Sequence, residues 1–164
     1  KNLQTELANA HSAFYADFAQ LLNKASNYLF DYDEYGVYRL TERKGIGGTV
    51  RTIRNYDIEE QMPQVKNLIV SKLTDANEVD YSIQSRLSDI YDAVTEGKIN
   101  VLSLVYGGHG ADYYGRDYIS KMDETFANLF IGHVTKNRKM ENIVKKELPN
   151  VYAEWEKLRR KIYE

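Results

Sequence analysis

Cysteine is absent from the 164 residues, which excludes disulfides and thiolate metal sites and fits a reducing compartment. Histidine is scarce, with only His11, His109 and His133, so a metal site must draw on these three together with Asp and Glu. No sign of charge dominates. A formal net charge of -2 and an isoelectric point near 6.0 leave no electrostatic footprint for nucleic acid, although Arg39 to Arg54 is locally basic. Long apolar runs are missing too: Val101 to Val105, with one serine inside, is far too short to span a bilayer, and no signal-peptide pattern opens the chain. We therefore expect a soluble protein that engages neither nucleic acid nor a membrane. The first residue is Lys1 rather than methionine, which raises the expectation of a fragment of a longer protein.

What is present is globular in proportion, 43% hydrophobic and 28% charged. The length suits one domain, 1–164, able to bury a core unaided. Tyrosine is the oddity, at 14 residues against 5 phenylalanines. Its usual place is a half-buried surface where the ring packs and the hydroxyl stays wet.

Leu3, Leu7, Ala10, Phe14, Phe18, Leu21, Leu22, Ala25 and Leu29 recur at three- and four-residue spacing, predicting a long first amphipathic helix. Asp31 to Tyr56 breaks that period with Gly36, Gly45, Gly47 and Gly48 and with alternation over Val37 to Leu40 and Thr49 to Ile53, which predicts a loop or short hairpin. Asp57 can cap a helix reaching about Leu73, with Pro63 as a kink or late start. A further helix begins at Asp80 or Ser82 and ends where Gly97 can take a left-handed cap. Gly107 to Gly115, rich in glycine and tyrosine, is expected to be irregular. Ser120, with Asp123 three residues on, resembles a capping pattern ahead of Met122, Phe126, Leu129 and Phe130. Two more helical stretches, Lys139 to Leu148 and Asn150 to Ile162, are separated by Pro149 in a first-turn position. The fold class expected is mainly α (α+β) with a small β or irregular element.

Chemistry concentrates between His109 and Phe130. Glu124 is expected on the first turn of its helix, where the dipole favours an anion; the plainer role there is helix stabilisation alone. His109 is flanked by Gly108 and Gly110, which can present its imidazole in a cleft or leave it in a surface loop. A histidine and a carboxylate fall short of the three protein ligands a catalytic zinc ordinarily takes. His11 and His133 read as a helix-surface residue and a packed or half-exposed residue. Asp89 and Asp92 read as surface or turn residues.

Three blocks in order carry a resemblance: Leu87-Ser88-Asp89-Ile90-Tyr91-Asp92-Ala93-Val94-Thr95-Glu96-Gly97-Lys98, then Tyr106-Gly107-Gly108-His109-Gly110 with Tyr113-Tyr114, then Glu124-Thr125-Phe126-Ala127. Together they resemble the C-terminal part of minor head proteins of phages and prophages of Gram-positive bacteria. The last 50 or so residues, with Tyr114-Gly115-Arg116, Phe126-Ala127 and Phe130, are also similar to the end of a zincin domain of the anthrax lethal factor type. In zincins one helix bearing HExxH supplies two histidine ligands and a general-base glutamate, and a later helix supplies a glutamate ligand. The resemblance places Glu124 as that later ligand and Tyr114 or Tyr118 as the tyrosine assisting the transition state; His109, part of the resembling blocks, stands beside Glu124 as a metal-site candidate by residue type alone, its role open.

No HExxH occurs in the chain. The nearest outline is Thr5-Glu6-Leu7-Ala8-Asn9-Ala10, which keeps Glu6 at the general-base position but has Thr5 and Asn9 where the histidines belong. The resemblance thus implies a zincin-like helical domain of a minor head protein, with a degenerate or incomplete peptidase site, no cofactor held within these residues, and head or portal proteins as partners. Its place is the bacterial cytoplasm during assembly, or the virion. The alternative is an active zinc-dependent peptidase, or a secreted toxin or effector, whose HExxH helix lies upstream; zinc is then the cofactor.

Overall fold

The computed structural model describes residues 3–42, 50–54, 56–75, 81–99 and 118–163. In chain order its elements are α1 (Leu3–Ala25), β1 (Phe30–Asp33), β2 (Gly36–Glu42), β3 (Val50–Arg54), α2 (Tyr56–Asp75), α3 (Tyr81–Val94), α4 (Tyr118–Val134), α5 (Arg138–Glu147) and α6 (Pro149–Tyr163). The protein is mainly α with a small antiparallel sheet. Among the described residues no helix is long and apolar enough to cross a membrane.

The sequence of α1 explains why it becomes the hub. Ala10, Ala13, Ala16 and Ala19 alternate with Phe14, Phe18, Leu21 and Leu22, and all eight are buried. Small residues let neighbours approach closely while the large ones fill the space between them. α1 accordingly packs against α6, α2, α3, α4 and the strands β1 and β2. The main core continues through Val65, Ile69 and Leu73 of α2, Leu87 and Ile90 of α3, Leu129 of α4, Val144 of α5 and Trp155 of α6. Glu147, almost buried at the end of α5, lies 3.9 Å from Lys24 and 3.7 Å from Lys72, tying α5 to α1 and α2.

The first helix stops four residues short of the expected Leu29. Ser26 hydrogen bonds back to the Leu22 carbonyl through both its N–H and its hydroxyl, while the Asn23 amide pairs with the backbone of Phe30, accepting its N–H at 2.6 Å and donating to its carbonyl at 3.1 Å. That amide acts as a strand partner and turns the chain into β1, so Leu29 is exposed rather than core. The expected hairpin becomes a three-stranded antiparallel sheet in the order β1-β2-β3, with Phe30 opposite Arg39 and Arg39 opposite Ile53. Phe30 and Val37 are the residues of β1 and β2 that join the core.

Helix α3 ends in a left-handed turn, but Glu96 rather than the expected Gly97 takes the cap position. Glu96 has φ +60° and donates its N–H to Ala93 at 3.2 Å, while Gly97, the next residue, has φ +69° and donates its N–H to the Asp92 carbonyl at 2.7 Å, a termination that satisfies carbonyls otherwise orphaned at the helix end. α2 runs through Pro63 rather than starting after it. α4 begins at Tyr118, before Ser120, so Ser120 and Asp123 are helical residues instead of a cap, and Glu124 stands in the second turn rather than the first. The dipole contribution expected at Glu124 fades with that displacement.

The start and end of the chain are joined by one buried carboxylate. Asp17 of α1, wholly inaccessible, accepts the Val151 N–H at 2.8 Å, the Asn150 N–H at 3.2 Å and the Asn150 side-chain amide at 2.8 Å. It serves as the anion for the unsatisfied N–H groups at the N-terminus of α6, in the setting where such groups favour negative charge. Burial raises its pKa, and the donors from Val151 and Asn150 oppose the rise. Asp17→Ala is predicted to lower unfolding free energy by about 3 kcal/mol, because two backbone donors lose a charged acceptor inside the core. Denaturant titration checks this; a change below about 1 kcal/mol would show that the clamp is dispensable.

Candidate functional site

Three helices that share the core border a groove of about 550 Å³. Its α1 wall carries Thr5, Glu6, Leu7, Asn9 and Ala10, its α4 wall Ile119, Met122, Asp123 and Phe126, and its α6 wall Glu154, Lys157, Leu158 and Lys161. Ala10 and Met122 are buried and Leu7 and Phe126 half-buried, so the floor is apolar. Beneath it Phe126 packs its ring 6.4 Å from Phe14 and 6.3 Å from Trp155. These edge-on and tilted ring contacts tie the groove-lining Phe126 to the core. Glu6 forms an ion pair with Lys161, which bridges the α1 and α6 walls, and Glu154 pairs with Lys157 one turn along α6.

The residues singled out from the sequence fall in different places. Thr5, Glu6 and Asn9, the outline of the histidine helix, all line this groove, and the Glu6 pKa is lowered by its hydrogen bond and charge interaction with Lys161. Glu124 is not among the lining residues; the adjacent Asp123 is. The Glu124 side chain accepts from the Asn128 amide at 3.2 Å, and Asn128 in turn accepts from Arg86 of α3 at 3.3 Å. Glu124 therefore takes part in the α3–α4 junction. Tyr118 is the first residue of α4. His109 and Tyr114 lie outside the described residues. Among the described residues no group of three or more His, Asp or Glu is placed to hold a metal ion.

Two other polar clusters were not evident in the sequence. In the first, Glu96 receives Lys121 at 2.9 Å and Lys98 at 2.8 Å. Burial alone would raise the Glu96 pKa, but the two ammonium groups outweigh it and the net shift is downward. Lys121, itself buried, also lies 5.7 Å from the Tyr15 ring, and Tyr15 stacks on His11 with centroids 4.3 Å apart. His11 is half-buried and its pKa is lowered, first by burial and then by Lys121. Its expected surface position is thus only partly right. His133 is packed between Trp155 and Tyr163 and meets Glu141 at 3.0 Å.

The second cluster corrects the surface reading of Asp92. This side chain is 1% exposed, and neither oxygen has a hydrogen-bond donor among the described residues. It sits in the last turn of α3, where the helix dipole opposes a negative charge. Burial, with Asp89 one turn earlier as the second cause, pushes its pKa from 3.8 to about 8. Such a carboxyl stays protonated in the core instead of paying full desolvation.

Because the folded pKa lies above the unfolded one, the stability that protonated Asp92 contributes is complete below about pH 4 and is lost as pH rises towards 8. Asp92→Asn keeps the shape and removes the titration. The variant is predicted to exceed the parent in stability by about 3 kcal/mol at pH 8, allowing for relaxation around the buried charge. Parallel pH dependences from 4 to 8 in parent and variant would contradict this.

Comparison with family models, with curated proteins and with solved structures found no match.

Proposed function

We propose that this chain is a protein-binding domain of the phage or prophage minor head type, of zincin ancestry, whose peptidase site is incomplete within these residues. It acts by contact with head or portal proteins, in the bacterial cytoplasm during assembly and then in the virion. The observation that carries this reading is the groove: its floor is apolar, and Glu6, the general-base candidate, is engaged by Lys161 on its rim. An apolar floor with a polar rim is the anatomy of a recognition surface. The zincin ancestry rests on the sequence resemblance alone, since Thr5, Glu6 and Asn9 line the groove with Asp123 and not with Glu124.

The test mixes the purified chain with the head and portal proteins encoded beside it and follows complex formation by sedimentation, while zinc is measured by elemental analysis. The reading predicts a complex of about micromolar affinity or tighter, with Glu124→Ala losing about 1 kcal/mol of stability through its bond to Asn128 and changing no metal content. Stoichiometric zinc that disappears in Glu124→Ala, accompanied by peptide hydrolysis, would overturn it in favour of the peptidase.

A further inference from the structure

The charges around the groove do not cancel evenly. On the α6 side Lys161 is matched by Glu6 and Lys157 by Glu154. The Asp123 side chain, exposed on the α4 wall, makes no ion pair or hydrogen bond among the described residues. One edge of an apolar trough is therefore neutral and the other negative. The trough's length is set by the spans Ile119 to Phe126 and Glu154 to Lys161, each about 10 Å at 1.5 Å per residue, which is two turns of helix. Ile119 of α4 and Leu158 of α6 both line it as apolar side chains without full cover, 48% and 37% exposed.

We propose that the groove binds a basic amphipathic helix of a partner protein, its apolar side chains at i, i+3 or i+4 and i+7 seated between α4 and α6 and a Lys or Arg beside them meeting Asp123. This rests on the protein-binding reading above and names the chemistry of the partner. Two helical turns are what an i to i+7 set of anchors spans, and a groove of about 550 Å³ has room for several apolar side chains. The neutral α6 edge accepts either sign of flank, so the Asp123 edge sets the preference.

The probes are synthetic peptides of about 14 residues, fluorescein-labelled and followed by anisotropy on the whole 164-residue chain. One has leucines at helical spacing with lysine flanks, a second has the leucines scrambled, and a third carries glutamate flanks. The lysine-flanked peptide is expected to bind about tenfold tighter than the scrambled one and about threefold tighter than the glutamate-flanked one. Ile119→Glu and Leu158→Glu, both at exposed positions, should each lose about tenfold in affinity with unchanged melting. Asp123→Asn should abolish the preference for lysine over glutamate while retaining binding.

Equal binding of ordered and scrambled peptides would overturn the proposal, as would self-association of the chain through this face or hydrolysis of an extended peptide. If the chain binds head or portal proteins and Leu158→Glu leaves that complex intact, the groove assignment fails and the protein-binding reading survives. If it binds neither those proteins nor any peptide, both fail.

Discussion

Asp17 is the constraint on which the arrangement depends. Three donors from the start of α6 converge on its carboxylate, and these elements are separated by more than 130 residues of chain. An apolar contact at that point would allow α6 to slide along α1. A buried anion at a helix N-terminus fixes both register and direction, since misplacement leaves a charge and two N–H groups unsatisfied in the core. With α6 fixed at Val151, Trp155 is carried into the aromatic stack beneath Phe126, and Leu158 and Lys161 follow on the same helix at the groove edge. The groove is thus a consequence of how the chain's first and last helices are joined.

Much of the fold was legible because it rests on local signals. The three- and four-residue spacing from Leu7 to Leu22 and Pro149 at the opening of α6 each have one dominant physical cause, and each appears where that cause places it, while the left-handed cap of α3 falls on Glu96, one residue before the expected Gly97. The misreadings arose where a side chain acted on distant backbone. Asn23 ends α1 by pairing with Phe30, seven residues away, and no periodicity encodes that. Similarly, apolar spacing cannot fix the start of α4 at Tyr118, which moves Glu124 from the first turn to the second.

The candidate site was legible in a different way. Thr5, Glu6 and Asn9 stand out only as an outline of the HExxH pattern that the resemblance implies, and they line a groove with Asp123 of α4 but not with Glu124. The walls added by Glu154, Leu158 and Lys161 were hidden, because these read as ordinary surface positions of a terminal amphipathic helix. The buried Asp92 was hidden for a related reason. An aspartate near a helix end looks solvated in sequence, and only the packing of α3 against α4 and its other neighbours removes the water. Lys121 and Glu96 likewise become a partly buried pair only when α4 docks beside the turn that follows α3.

The most direct measurement of the account is amide hydrogen exchange at Val151 and Asn150, resolved by NMR in the intact chain. If Asp17 joins the ends of the molecule as described, the Val151 amide exchanges only through global unfolding, with protection matching the amides of Phe18 and Leu22 in the centre of α1. Helix N-terminal amides without such an acceptor exchange with little protection. Rapid exchange at Val151, while the centre of α1 remains protected, would contradict the account and detach the groove from its support.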